Sequence, residues 1–195
     1  MKANDVKSCV VQQLRRLKDL PEPQRKAELA RLRQGVGRSP GEMPALWGSF
    51  LVQMEEPLRG SDGPSEAEWA IYLSLTLFAL HQQGEQGISM HQPGRTLGGA
   101  VQELARAYAP GQDWTESSVI RRFNALATAD SMPELAHHLR GMIQLLRREK
   151  IPLDYPQLAA DLYRFQFVED AANVRLQWGR DLYRITMNET EEKEN

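Results

Sequence analysis

Cysteine occurs once, as Cys9, so no intramolecular disulfide can form. A reducing compartment, the cytoplasm, is the expected setting. The opening MKANDVKSCVVQQLRR has too short an apolar stretch for a secretory leader. No run reaches the roughly 20 apolar residues of a membrane span. The most apolar segment, Glu66 to Gln83, carries Glu66 and Glu68 in its first turn, and no membrane partner is expected. HExxH and CxxC are missing, and the adjacent His137 and His138 project about 100° apart on a helix, the wrong geometry for an i,i+4 chelate. His81 and His91 stand alone. No GxSxG surrounds a serine, and the GxG at Gly35 is followed by no Gly-Lys-Ser/Thr. The carboxylate pairs Glu55/Glu56 and Asp161/Asp170 sit in no catalytic pattern. Neither metal, cofactor nor catalytic residue is expected, and the chain reads as a non-enzyme.

Isoleucine and valine are sparse, strand alternation is missing, and no repeat of about 20–50 residues is found. Leu, Ala, Gln, Arg and Glu dominate instead, a mixture that favours helix. The expected fold is all-α: a compact bundle of about eight to nine helices by periodicity, with an N-terminal lobe over 1–112, a C-terminal lobe over 113–186 and an acidic disordered tail over 187–195.

In order, helices are expected over Asp5–Leu20 and Pro23–Arg33, the second so polar that it covers a small patch or bridges to a partner. A Gly-rich loop to Gly41 follows. Pro44–Glu55 is read as a helix with Leu46, Trp47, Phe50 and Leu51 inward. Ser65 should cap Glu66–Gln83, apolar on every side and therefore the central rod. Thr96 should cap Leu97–Tyr108, where Gly98 and Gly99 permit a close neighbour. Asp154 and Pro156 start another helix, and Glu169–Arg184 closes the series on Val174, Trp178 and Leu182. The four tryptophans, Trp47, Trp69, Trp114 and Trp178, fall at core spacing; as base-stacking platforms they are the lesser reading.

The net charge of −2 conceals segregation. Ten Lys/Arg against four Asp/Glu through Gly41 give +6; three against ten from Glu42 to Glu116 give −7; six against three from Ser117 to Lys150 give +3. Such blocks create local fields that the total hides. The last basic block is the most informative. Its two expected helices meet at Asp130–Ser131, with Ser131 as cap and Pro133 in the next first turn. Leu135, Leu139, Met142, Ile143 and Leu146 share one side; His137, Arg140, Gln144, Arg147 and Arg148 take the other. Val119, Ile120, Phe123, Leu126 and Ala127 are inward in the preceding helix, with Arg121 outward and Arg122 on the flank. Outward arginines ordinarily form a solvated surface; several on two adjacent helices, with acids thin, also make an arrangement that can hold phosphate.

The blocks RLRQGVGRSPGEMPALW, LTLFALHQQ, PGRTLGGAV, RRFNALATAD, HHLRGMIQLLR and IPLDYPQLAADLYRFQF, in that order from about Leu29 to Tyr183, resemble the small subunit of the type I-E Cascade CRISPR surveillance complex, the CasB family. The resemblance implies a cytoplasmic, non-catalytic ribonucleoprotein subunit that pairs head to tail with a second copy. It also implies contacts with the large and backbone subunits, and help in holding crRNA paired to target DNA and the displaced strand. It carries basic nucleic-acid-binding positions onto Arg33, Arg95, Arg121, Arg122 and Arg140. Helical geometry and charge add Arg38, Arg147, Arg148 and Arg175. The alternative from another class is a helical scaffold whose basic face docks acidic protein partners.

Overall fold

α4 (Glu66–His81) is the rod around which the other helices pack. Twelve of its side chains are buried, from Ala67 to His81. A reciprocal capping box starts it: Ser65 Oγ accepts from Glu68 N–H, and the Glu68 carboxylate accepts from Ser65 N–H at 2.7 Å. An evenly apolar helix has no solvent face and must be surrounded. α1 (Lys2–Asp19), α2 (Glu22–Arg33), α7 (Met132–Arg148) and α8 (Tyr155–Phe165) surround it, and α3 (Trp47–Phe50) touches it. α5 (Leu97–Tyr108) packs between α6 (Ser118–Ala127) and α9 (Val168–Leu182), and α9 returns onto α8. The computed structural model describes residues 2–85 and 87–184, so the expected acidic tail lies outside the described residues.

Among the described residues nine α-helices occur, and the sole β pairing is an isolated parallel bridge between His91 and Leu153. The chain is therefore all-α, and one buried apolar cluster runs from Val6 to Leu182. The expected caps are all in place: Thr96 accepts from Gly99 N–H, Ser131 from Glu134 N–H, and Asp154 from Gln157 N–H. No helix among the described residues is long and apolar enough to cross a membrane.

The stretch after the Gly-rich loop differs from expectation. In place of a helix over Pro44–Glu55 there is a 3₁₀ turn, Pro44–Leu46, then the single α-turn of α3. The Arg59 guanidinium donates to the carbonyls of Leu51 and Met54, at 3.3 and 3.0 Å, taking the acceptors a continuing helix would use. Leu46, Phe50, Met54 and Leu58 turn inward, and Trp47, expected there too, is 47% exposed. Trp178 is buried, whereas Trp69 and Trp114 are partly buried.

Candidate nucleic-acid interface

α7 carries the expected division of faces. Leu135, Leu139, Met142, Ile143 and Leu146 are buried, while Arg140 and Arg148 are exposed. Arg140 and Arg147 are seven residues apart, two turns, so they share a stripe with about 10 Å between their Cα atoms. Packing brings Arg33, and the loop that carries Arg38, to that stripe from the N-terminal part of the chain. The loop after α2 lies against it so closely that a Cβ on Gly37 would sit 3.4 Å from Arg140 Nη1. Tyr72 of α4 fixes this loop by donating to the Gly35 carbonyl at 3.0 Å. Arg38 follows in the same turn, exposed. Arg33, in the last turn of α2, is half-buried; burial first and the neighbouring Arg147 second pull its guanidinium below the usual range.

Arg33 thus faces Arg147 across α2 and α7, and the loop that carries Arg38 lies against Arg140. Like charges repel, so an array of this kind needs a second reason to stay. Arg147 has one: it donates to the Leu80 carbonyl and to Gln83 Oε1, at 3.4 and 2.9 Å, where the end of α4 favours a cation. Glu42 faces Arg38 without a hydrogen bond to it, its carboxylate held by Ser39 N–H at 2.8 Å. The guanidinium groups of Arg38, Arg140 and Arg148 make no hydrogen bond or ion pair among the described residues.

The remaining candidates are placed elsewhere. Arg121 and Arg122 are exposed on α6; Arg121 turns back to donate to the Glu116 carbonyl at 2.9 Å, and no contact joins either to the group on α7. Arg95 is ion-paired with Glu103 across the first turns of α5. Arg175 donates to the carbonyls of Ala127 and Ala129, at 2.6 and 3.3 Å, and lies 4.9 Å from the Phe165 ring centre. It closes the end of α6. Its sequence signature, an arginine just off a buried stripe, is identical to that of a phosphate ligand; only the approach of α9 to α6 reveals the difference.

Among the described residues no group of three or more His, Cys, Asp or Glu could hold a metal. His81 is buried with Nδ1 2.9 Å from the Tyr155 hydroxyl, and burial lowers it to about 4, so its neutral form is the resident one. Sequence reasoning missed a surface cluster where α5 and α9 end. Trp114 and Tyr183 rings are 5.6 Å apart, and Arg106 lies 5.3 Å from the indole centre. The available signal was Gln102, a polar residue on the inward side of α5, 9% exposed.

The comparisons agree with this fold. A sequence model of a family described as CRISPR-associated protein Cse2 matches residues 28–183. The crystal structure of CasB from Thermobifida fusca is similar with 34% identity and TM-score 0.76, over 92% of this chain and 98% of that one. CasB from Thermus thermophilus gives 29% and 0.66, over 91% and 97%. M. ruber CasB gives 26% and 0.69, over 96% and 98%. No curated protein matches.

Proposed function

The chain belongs to the CRISPR-associated Cse2 (CasB) family, and on that premise we propose that it is a non-catalytic subunit of an RNA-guided Cascade surveillance complex, holding nucleic acid by its phosphates. Its partners are crRNA paired with target DNA, the displaced strand, the large and backbone subunits, and a second copy placed head to tail. Base pairing with the guide reads sequence in such an assembly, so this subunit needs charge and shape and no base-specific hydrogen bonds. The observation that supports the reading is the approach of Arg33 to Arg147, and of the loop that carries Arg38 to Arg140, from distant parts of the chain. Arg148 extends the group along α7, and Arg121 and Arg122 offer a second basic surface on α6.

Neutralising one phosphate contributes about −0.9 to the slope of log K against log salt on duplex DNA. Four engaged arginines therefore give a slope of roughly −3.6, about a 150-fold loss of affinity between 50 and 200 mM salt. Arg38→Ala with Arg140→Ala should bring the slope to about −1.8, leaving roughly a 12-fold loss over the same range. Mobility shift at several salt concentrations measures both. A double variant with an unchanged slope refutes phosphate contact by these residues and assigns them to a protein partner. Arg121→Ala with Arg122→Ala should weaken non-specific DNA binding at an unchanged melting temperature.

A further inference from the structure

Tyr183 ends α9 with 56% of its surface exposed, yet it is not a loose side chain. Gln102 Nε2, from buried α5, donates to the carbonyls on either side of it, Leu182 at 2.6 Å and Arg184 at 3.1 Å. The Tyr183 N–H is bonded to the Gly179 carbonyl at 3.0 Å, so both sides of the residue are pinned. Its ring then lies against Trp114 at 5.6 Å between centres and 36° between planes. Arg106 lies on the indole as well. The result is a pair of aromatic rings on a held backbone, with the tyrosine exposed, built from α5, the turn that follows it and the end of α9.

Charge does not explain the cluster. Its described neighbours carry both signs: Arg106 lies on the indole, Asp113 and Glu116 stand either side of Trp114 in sequence, and Asp181 accepts from Arg184 at 3.0 Å. Mixed charge among the described residues makes no single-signed patch for a phosphate here. What remains is a pre-organised ring face, and every nucleic-acid base has a π-face to offer it. Ordering a mobile segment would normally subtract from binding; here the backbone that carries the ring is already held.

We propose that Tyr183, backed by Trp114, is a stacking platform for an unpaired base of a single strand. The proposal rests on the nucleic-acid reading above and adds a contact to the base, in a place separate from the arginine group. Its signature is a binding increment that salt does not remove, because stacking releases no counterions.

The test compares fluorescein-labelled dT15 with a 15-unit abasic oligonucleotide of the same charge, by anisotropy at 50 and 150 mM salt on the full chain. Wild type should prefer dT15 by roughly five- to 150-fold at both salts, the range of one stacked base. Tyr183→Ala should erase that preference while keeping affinity for the abasic strand. Tyr183→Trp should keep the preference and Tyr183→Leu, apolar but not planar, should lose it. Equal binding of both oligonucleotides by wild type overturns the platform while leaving phosphate contact intact. Failure to bind either overturns both readings. A Tyr183→Ala protein that keeps the preference but sediments differently assigns the ring to a protein contact and overturns the platform.

Discussion

Gly98→Ala should destabilise the protein although alanine is the better helix former. A Cβ at Gly98 would meet the Trp178 carbonyl at 2.2 Å, the Leu182 nitrogen at 2.7 Å and Asp181 Cβ at 2.9 Å. Two of these atoms are backbone of α9 and cannot rotate away, so the α5–α9 pair must separate. Overpacking of this kind costs about 1–3 kcal/mol; with backbone on the receiving side the upper end applies. Replacing glycine returns at most about 1 kcal/mol, an upper bound at Gly98, the second residue of α5. The net loss is about 2 kcal/mol, and for a chain of this size the melting temperature should fall by roughly 4–8 °C. Gly141→Ala is the control. It lies inside α7, and an added methyl there would have no neighbour within 4 Å, so only the propensity gain acts. That variant should melt up to about 2–4 °C higher. Thermal melts followed by circular dichroism compare the three proteins. A Gly98→Ala variant as stable as wild type would refute the claim that this glycine sets the approach of α9 to α5.

Two other outcomes follow from buried groups. His81 titrates near 4 in the folded protein, below the ordinary 6.5, so the unfolded chain takes up its proton first as pH falls. Stability should be full above about pH 7 and decline between 6.5 and 4, by about 2 kcal/mol at pH 5. Urea denaturation at pH 7.5 and 5.0 should show this decline in wild type and a smaller one in His81→Gln; equal declines would refute it. Arg175→Ala should lower stability by roughly 1.5–3 kcal/mol, the worth of a charged hydrogen-bonding group serving buried carbonyls. It should leave the salt slope of DNA binding unchanged; a slope reduced by about 1 would instead make Arg175 a phosphate contact.

The helices were legible in the sequence because their causes are local. Ser65, Thr96, Ser131 and Asp154 cap helices within three residues of themselves. The apolar stripe of α7 follows from spacing along one helix. The exception, Pro44–Glu55, fails for a reason further along the chain, since Arg59 takes its carbonyls. Gly98 and Gly99 look alike in sequence, but only Gly98 faces another backbone.

The sequence by itself determined an all-α chain, its caps, its central rod and a set of arginines pointing away from apolar stripes. Tertiary structure alone decided what each arginine does. Arg33 and Arg147 are over a hundred residues apart in sequence and face each other only because α2 and α7 both pack on α4. Arg175 is used up on α6, and Tyr183 comes to rest on Trp114. A helix fixes the direction of a side chain relative to its own axis; what that side chain touches depends on which other helix arrives there, and that is settled by packing across the whole core.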